Sequence, residues 1–295
     1  MLNAATARRT APGLAAGLAL VALAACGDDD KDKGKSSEAK AETLTLTGST
    51  AGKAAKLTGL PTEAVTGGAV TIRFTNDDAK SPMEAQFVRV DGSHSDEQVR
   101  KQVLDTPEGA PTPPWAHGAG GSGSTKPGQT SSSTLLLEPG NYYVQADADV
   151  DNGEVKAAVL PLKVEGDSGA KLPATDATIS ATEYAFQSSG LKAGKNTVLF
   201  DNKGAELHHV IALPIAKGKT IADVKKAFAS EEEPQGPPPV DFEAGSGTSV
   251  LDGGTAQVAE LELRQGRYAF VCFLSDRKGG PPHVVKGMVT EVDVP

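Results

Sequence analysis

A short segment near the end of the chain carries three side chains that could bind a transition metal. Cys272 is followed after ten residues by His283, and Met288 comes after four more. Thiolate, imidazole and thioether groups are the softer donors that proteins offer to such metals. Further upstream, the adjacent residues His208 and His209 supply imidazole again. Together these residues predict a mononuclear metal site, although each of them alone indicates little.

The two cysteines are too few for a disulfide framework. In an oxidising compartment an unpaired thiol such as Cys272 is a liability unless it is buried or bound to a metal. The alternative for Cys272 is a buried, inert side chain, because Val271 and Phe273 flank it. Met288 alone would be typical of core filler, since it begins an alternating terminal strand.

The elements that must position these residues recur along the chain at an offset of about 125 residues, which indicates an internal repeat. Each copy opens with alternating residues, continues with a strand that runs into an Asn-containing turn, and then has a second strand. In chain order these segments are 43–47, 70–76 and 83–90 in the first copy, and 177–181, 197–202 and 208–213 in the second.

A short helix and two final strands complete each copy. Ser95–Gln98 and Thr220–Asp223 both fit a capping box, in which a hydroxyl and a side chain three residues later bond each other's backbone amide groups. Passages 106–129 and 234–249 are rich in Pro and Gly and are predicted to be irregular. The copies end in a turn and two strands, of which the last are 157–164 and 288–294.

Many short strands at this spacing with one small helix predict an all-β fold, with two tandem Greek-key β-sandwiches. We expect the first domain at 43–165, a linker at 166–176 and the second domain at 177–295. The alternative is two unrelated sandwiches.

The second copy resembles the cupredoxins, the family of blue copper proteins. The resemblance is carried by Gly266-Arg-Tyr-Ala-Phe-Val-Cys272, by the spacing of His283 and Met288, and by a His after the turn at Asn202. It implies two cupredoxin-like domains, with one type-1 copper in the second. The spacing of ten residues between Cys272 and His283 is longer than in the small electron carriers of this family.

The resemblance implies His208, Cys272 and His283 as ligands in a plane, with Met288 in the axial position. Such a set suits copper in both of its oxidation states. His208 is chosen over His209 because successive strand residues face opposite sides of a sheet, so only one of them points inward. The loop position of His283 predicts that it lies near the surface, where an electron could enter.

The first copy lacks these ligands. The alignment places Met83 on His208, Ala146 on Cys272 and Ala158 on Met288. The first domain is therefore predicted to be a scaffold without a metal. The two remaining histidines, His94 and His117, are predicted to be surface residues.

Several functions are disfavoured by the residues present. Copper oxidases and nitrite reductases of this family place His beside the type-1 Cys, whereas here the neighbours are Val271 and Phe273, so we expect no enzyme activity. A net charge of −9 argues against a nucleic-acid partner. One-electron transfer to a redox protein is the expected function. The alternatives are copper binding and delivery to a copper-exchange partner, or a metal-free binding protein.

The N-terminal segment predicts export and membrane anchoring. Arg8 and Arg9 precede an apolar stretch over 11–25 that resembles a signal peptide and ends in a lipobox-like sequence before Cys26. Residues 1–25 would be removed, Cys26 would carry the lipid, and the polar segment 26–42 would form a flexible tether. The protein would then lie on the outer face of the cytoplasmic membrane, at the cell surface or in the periplasm. The alternative is ordinary cleavage after Ala25 with an incidental cysteine.

Overall fold

The strands of the second copy follow those of the first in the same order. The computed structural model describes residues 40–107, 109–148, 155–230 and 236–295, so the predicted signal peptide, Cys26 and most of the tether lie outside the described residues. The strands are β1 Glu42–Ala51, β2 Ala54–Thr58, β3 Val65–Asn76, β4 Met83–Val90, β5 Ala116–Gly121, β6 Thr130–Leu137, β7 Gly140–Ala148, β8 Ala158–Asp167, β9 Ala177–Thr182, β10 Ala185–Ser189, β11 Gly194–Asn202, β12 Ile211–Pro214, β13 Ser246–Gly247, β14 Ala256–Leu263, β15 Gly266–Val271 and β16 Val289–Val294.

Two short helices lie at corresponding places in the two copies. Helix α1 spans Asp96–Val99 and continues as a wider turn over Arg100–Leu104, and α2 spans Ile221–Ala229. Both predicted capping boxes are present, with Ser95 and Thr220 as the N-cap residues. The predicted all-β fold with two sandwiches and a short helix in each is confirmed. Among the described residues, no helix is both long enough and apolar enough to cross a bilayer.

Alternation of apolar and polar residues sets which face of each strand is buried. In β4, Met83, Ala85 and Phe87 point into the core of the first sandwich, as predicted. The second sandwich has its own core, in which Cys272 and Met288 pack. Because these two candidate ligands belong to a packed core rather than to a surface loop, their positions are held by the whole sandwich.

The two copies share a frame of backbone hydrogen bonds. Met83 and Thr125 exchange two of these bonds, at 3.0 and 2.8 Å, and His208 and Leu251 exchange two at 3.0 and 2.9 Å. The same bridge therefore recurs at an offset of 125 residues on one side and 126 on the other. The structure places Met83 where the second copy has His208, as the alignment predicted.

The sheets of the two copies are joined by backbone pairing between one strand of each copy. Strand β6 of the first copy pairs antiparallel with β14 of the second, with Leu135 opposite Gln257 and Ser133 opposite Ala259. The described residues between 40 and 295 belong to one compact unit. The domain boundaries at 43–165 and 177–295 remain predictions, and β8 extends into the expected linker as far as Asp167.

The passages predicted to be irregular contain regular structure. The first holds β5, which pairs with β4, and the second holds the two-residue strand β13, which pairs with β12. Strand β5 has the sequence Ala-His-Gly-Ala-Gly-Gly, which lacks the apolar alternation that identifies a strand. Its conformation comes from pairing with a neighbour that is distant in sequence.

Candidate metal centre

His208 is held by the turn that ends β11. The Asn202 side chain donates hydrogen bonds to the carbonyl oxygens of Glu206 at 2.9 Å and Leu251 at 3.1 Å, and so ties the turn to the opposite strand. His208 has no exposed surface, and its Nε2 atom faces Glu183 Oε1 at 3.8 Å. Burial, with a smaller contribution from His283, lowers the pKa of His208 to about 4. The ring is therefore neutral at pH 7, as a metal ligand must be.

Cys272 directly follows the last residue of β15 and is fully buried. Burial raises the pKa of its thiol to about 11, against a smaller opposite effect of the backbone amides of His209 and Leu274. Without a metal, the side chain is therefore a neutral thiol at pH 7. The residue is a free cysteine.

The long loop after Cys272 is closed at its base. The His283 amide donates to the Leu274 carbonyl at 2.7 Å, and the Val284 amide donates to the Cys272 carbonyl at 2.8 Å. Residues 275–282 form the part of the loop that lies beyond these two hydrogen bonds. The ten intervening residues therefore do not move His283 away from Cys272, and the extra length forms an outward excursion of the kind that the turn-forming sequence predicted.

His283 has no exposed surface of its own, and partly exposed side chains cover it, so its position near the surface stays a prediction. Its Nε2 atom is 3.1 Å from Asp276 Oδ1, and the ring of Tyr184 packs against it with centroids 5.0 Å apart. Lys286 pairs closely with the same carboxylate. These three side chains cover the imidazole. Burial lowers the pKa of His283, and Asp276 opposes that effect.

Three donor atoms converge in the interior of the second sandwich. The Nδ1 atoms of His208 and His283 are 3.2 Å apart, and Cys272 Sγ is 3.5 Å from His283 Nδ1. All three donors lie within 4.8 Å of one another. With bond lengths of about 2.05 Å for imidazole and 2.3 Å for thiolate, as at Zn²⁺, donors spaced at about 120° would be about 3.5 and 3.8 Å apart. The observed separations fit such a site after a small expansion.

A carboxylate lies behind each of the two imidazoles, on the Nε2 side of the ring. Asp276 accepts from Nε2 of His283, and Glu183 faces Nε2 of His208. A ring that carries its proton on Nε2 presents an unprotonated Nδ1 to the centre, which is the usual arrangement of metal-binding histidines. Sequence reasoning missed both carboxylates. Asp276 lies within the ligand loop and could have been suspected, whereas no local pattern links Glu183 to His208.

Met288 is fully buried and belongs to the same core cluster as Cys272. Its amide donates to the His283 carbonyl at 2.9 Å, so the loop from His283 to Met288 is tightly closed. The structure therefore places the sulfur-bearing side chain in the core of the second sandwich. Its role as a ligand stays a prediction.

His209 is not part of the donor group. Its Nε2 atom accepts a hydrogen bond from the Phe273 amide at 3.0 Å, and its ring packs edge-on against Phe273. Burial lowers its pKa to about 3. The two neighbouring histidines have different partners, although the strand predicted at 208–213 begins only at Ile211. His209 supports the backbone immediately after Cys272.

The first sandwich has no corresponding donors. Ala146 and Ala158 lie opposite each other on β7 and β8, at the places that Cys272 and Met288 occupy in the second copy. Within the described residues, the only group of three or more His, Cys or acidic side chains that could hold a metal is that of His208, Cys272 and His283. His94 stacks on Trp115.

His117, which was predicted to be a surface residue, is partly exposed and bonds a carboxylate through each of its ring nitrogens. Its Nδ1 atom is 2.6 Å from Asp252 Oδ2, in the second copy, and its Nε2 atom is 2.9 Å from Asp91 Oδ2. The side chain is 24% exposed, and it bridges the two sandwiches.

No protein-family model matches the chain, and no curated protein sequence matches it. Among solved structures, the chain is similar to auracyanin B, at 19% identity over 40% of this chain and 86% of that chain, with a TM-score of 0.27. It is also similar to auracyanin from the photosynthetic bacterium Roseiflexus castenholzii, at 20% identity over 40% and 94% of the two chains, with a TM-score of 0.26. Copper nitrite reductase from Nitrosomonas europaea matches 87% of this chain and 94% of its own at 16% identity, with a TM-score of 0.23. Likenesses at these TM-scores do not identify shared chemistry, so the support for a metal is the donor set of this chain.

Proposed function

We propose that this protein is a membrane-anchored, extracytoplasmic electron carrier with one type-1 copper in its second sandwich. The observation that carries the proposal is the convergence of one thiol and two imidazole Nδ1 atoms in a fully buried space. His208, Cys272 and His283 would hold the metal, and the thioether of Met288 would be a further donor. When bound there, copper would supply a one-electron couple.

The surrounding residues suit that role in three ways. Asp276 orients His283 through its outer nitrogen, and the carboxylate of Glu183 lies 3.8 Å from the outer nitrogen of His208. Tyr184 and the ligand loop cover His283, which excludes water from the donors. His208 is bridged to Leu251, Cys272 directly follows β15, and the loop to His283 is closed at its base, so the donor separations would change little when an electron arrives or leaves.

We favour electron transfer over an enzymatic role because the part of the chain that the structure describes offers one donor group and no second one in contact with it. Val271 and Phe273 flank Cys272, and neither can bind a metal. The full burial of the donors also favours a resident metal over delivery to a partner, because a metal that is exchanged quickly needs access. A redox protein is the proposed partner.

The anchoring proposal rests on the sequence around Cys26. Lipid attachment there, followed by a polar tether, would hold the two sandwiches outside the cytoplasmic membrane. Expression of the full chain in a bacterial host tests it: wild-type protein should sediment with membranes, and Cys26→Ser protein should not. Recovery of Cys26→Ser protein entirely in the membrane fraction would contradict the lipid anchor.

Optical absorption after copper loading tests the site. We expect an intense visible thiolate-to-copper band in wild-type protein that is lost in Cys272→Ser. His208→Ala and His209→Ala form a matched pair of adjacent substitutions, of which only the first should abolish the band. A colourless wild-type protein that binds no copper would overturn the proposal. Transfer of the metal to a chelator within seconds would favour copper delivery instead.

A further inference from the structure

The loop that connects Cys272 to His283 is bonded to the first sandwich. The Thr112 amide donates to the Arg277 carbonyl at 2.9 Å, and the Gly280 amide donates to the Gly109 carbonyl at 3.0 Å. A Cβ atom on Gly279 would approach the Gly109 carbonyl oxygen to 2.6 Å. The two backbones therefore meet at a distance that only glycine permits.

Arg277 extends this contact through its side chain. Its guanidinium donates to the Ala116 carbonyl of the first sandwich at 3.1 Å and to Asp252 of the second at 2.5 Å. Asp252 also bonds His117, which in turn contacts Asp91. Arg277 and Asp252 are only 21% and 14% exposed, and a shielded pair with a forked donor is held more firmly than a surface ion pair.

The same loop segment touches the metal donors. Asp276, the residue before Arg277, bonds Nε2 of His283. The Arg277 amide donates to Glu206 Oε2 at 2.6 Å, two residues before His208. A displacement of Arg277 would therefore also move Asp276, and a shift of Asp276 would change the orientation of the His283 imidazole.

We propose that the first sandwich, which lacks the metal donors, acts as a clamp on the ligand loop, and that Arg277 is the positioning residue that transmits this hold to His283 through Asp276. The proposal assigns a function to the first copy and rests on the proposed copper site for its effect on the metal. It also accounts for the loop length, since a shorter loop would not reach Gly109 and Thr112.

The test compares Arg277→Gln with Arg277→Lys and with Arg267→Gln. Arg267 is a matched control because it also pairs with a carboxylate, Glu291, but at the far end of β15. Hydrogen exchange of the metal-free protein is measured first. Loss of two or more charge-assisted bonds should speed exchange of the Gly280 and His283 amides at least tenfold in Arg277→Gln. Exchange in β11 and β14 should not change.

The same variants are then loaded with copper, and release to excess chelator and the visible spectrum are recorded. Release should be about tenfold faster in Arg277→Gln, with a shifted visible band, partial rescue in Arg277→Lys and wild-type behaviour in Arg267→Gln. Unchanged exchange at Gly280 and His283 would overturn the clamp. Faster exchange with unaltered copper release and spectrum would overturn the positioning role of Arg277.

Two further outcomes are separable. If wild-type protein binds no copper, the proposed function fails, and the exchange rates alone decide whether the first sandwich holds the loop. If Arg277→Gln does not fold, as judged by circular dichroism, Arg277→Lys decides by the same two measurements, because it keeps the charge but lacks the planar forked donor of Arg.

Discussion

Metal binding should release one proton per metal at pH 7.5, and that proton comes from Cys272. The thiol has a pKa of about 11, so it is protonated at this pH and must lose its proton to become a ligand. His208, with a pKa of about 4, and His283, with a lowered pKa, are already neutral and release none. The count of one therefore distinguishes a thiolate ligand from a site made of imidazoles alone.

The pH dependence of affinity follows from the same values. Between about pH 6 and 9 the affinity should rise tenfold per pH unit, because one proton competes with the metal. At pH 7 this competition costs about four orders of magnitude in affinity, or roughly 5 kcal/mol. Below about pH 5 the slope should steepen, because protonation of His208 then begins to compete as well.

Isothermal titration in two buffers with different ionisation enthalpies measures the proton count directly. Co²⁺ is a suitable probe because, unlike Cu²⁺, it does not oxidise a thiol. We expect one proton for wild-type protein and for His209→Ala, and none for any residual binding to Cys272→Ser. A count of zero for wild-type protein, or of one for Cys272→Ser, would refute the assignment of Cys272 as the thiolate ligand.

Three further predictions concern the support of the site and the contact between the sandwiches. Asp276→Asn should lower copper affinity ten- to a hundredfold in a chelator competition, because the carboxylate orients His283; an affinity equal to wild type would contradict this role. The metal-free protein should lose about 2 kcal/mol through His209 between pH 7 and 5, since burial lowers its pKa to about 3 and the unfolded state takes up a proton below about pH 6.5. Urea unfolding at pH 7 and pH 5 should show a smaller loss of stability in His209→Gln than in wild-type protein, and an equal loss would argue against this role of His209. Gln86→Ala should destabilise the protein by about 2 kcal/mol, because the Gln86 amide both donates to and accepts from the backbone of Val250 across the two sandwiches. Urea unfolding that matches wild type would mean that this contact contributes nothing to stability.

The parts of the fold that follow from local patterns were predictable from the sequence. Alternation in β4 identified Met83 as a core residue, and the repeat offset then placed Met83 on His208. Strand alternation also favoured His208 over His209, although the strand there begins only at Ile211. Both capping boxes depend on residues three apart, so short-range chemistry was enough to locate the helices.

Features made by distant residues could not be predicted in this way. The burial of His283 depends on Tyr184, from the other end of the second copy, and on a carboxylate in the loop that folds back over it. The bond of His117 to Asp252 could not be predicted because the two residues are 135 positions apart. Strand β5 has no apolar alternation, and its strand conformation depends on antiparallel pairing with β4. In each case the deciding contact is long-range.

The differences between the two copies have a physical logic. Burying two imidazoles and a thiol side by side is unfavourable without a metal, since each polar group loses hydration; the low pKa of His208 and its Nε2 atom, which has no hydrogen-bond partner, are signs of that cost. The first copy avoids it by placing Met83 and alanines at the corresponding positions, while the frame of backbone hydrogen bonds is unchanged. The first sandwich, which lacks the donor set, can therefore support the ligand loop without this desolvation cost. In the second sandwich the cost is present, and a bound metal would offset it. Copper loading should accordingly stabilise the second sandwich more than the first.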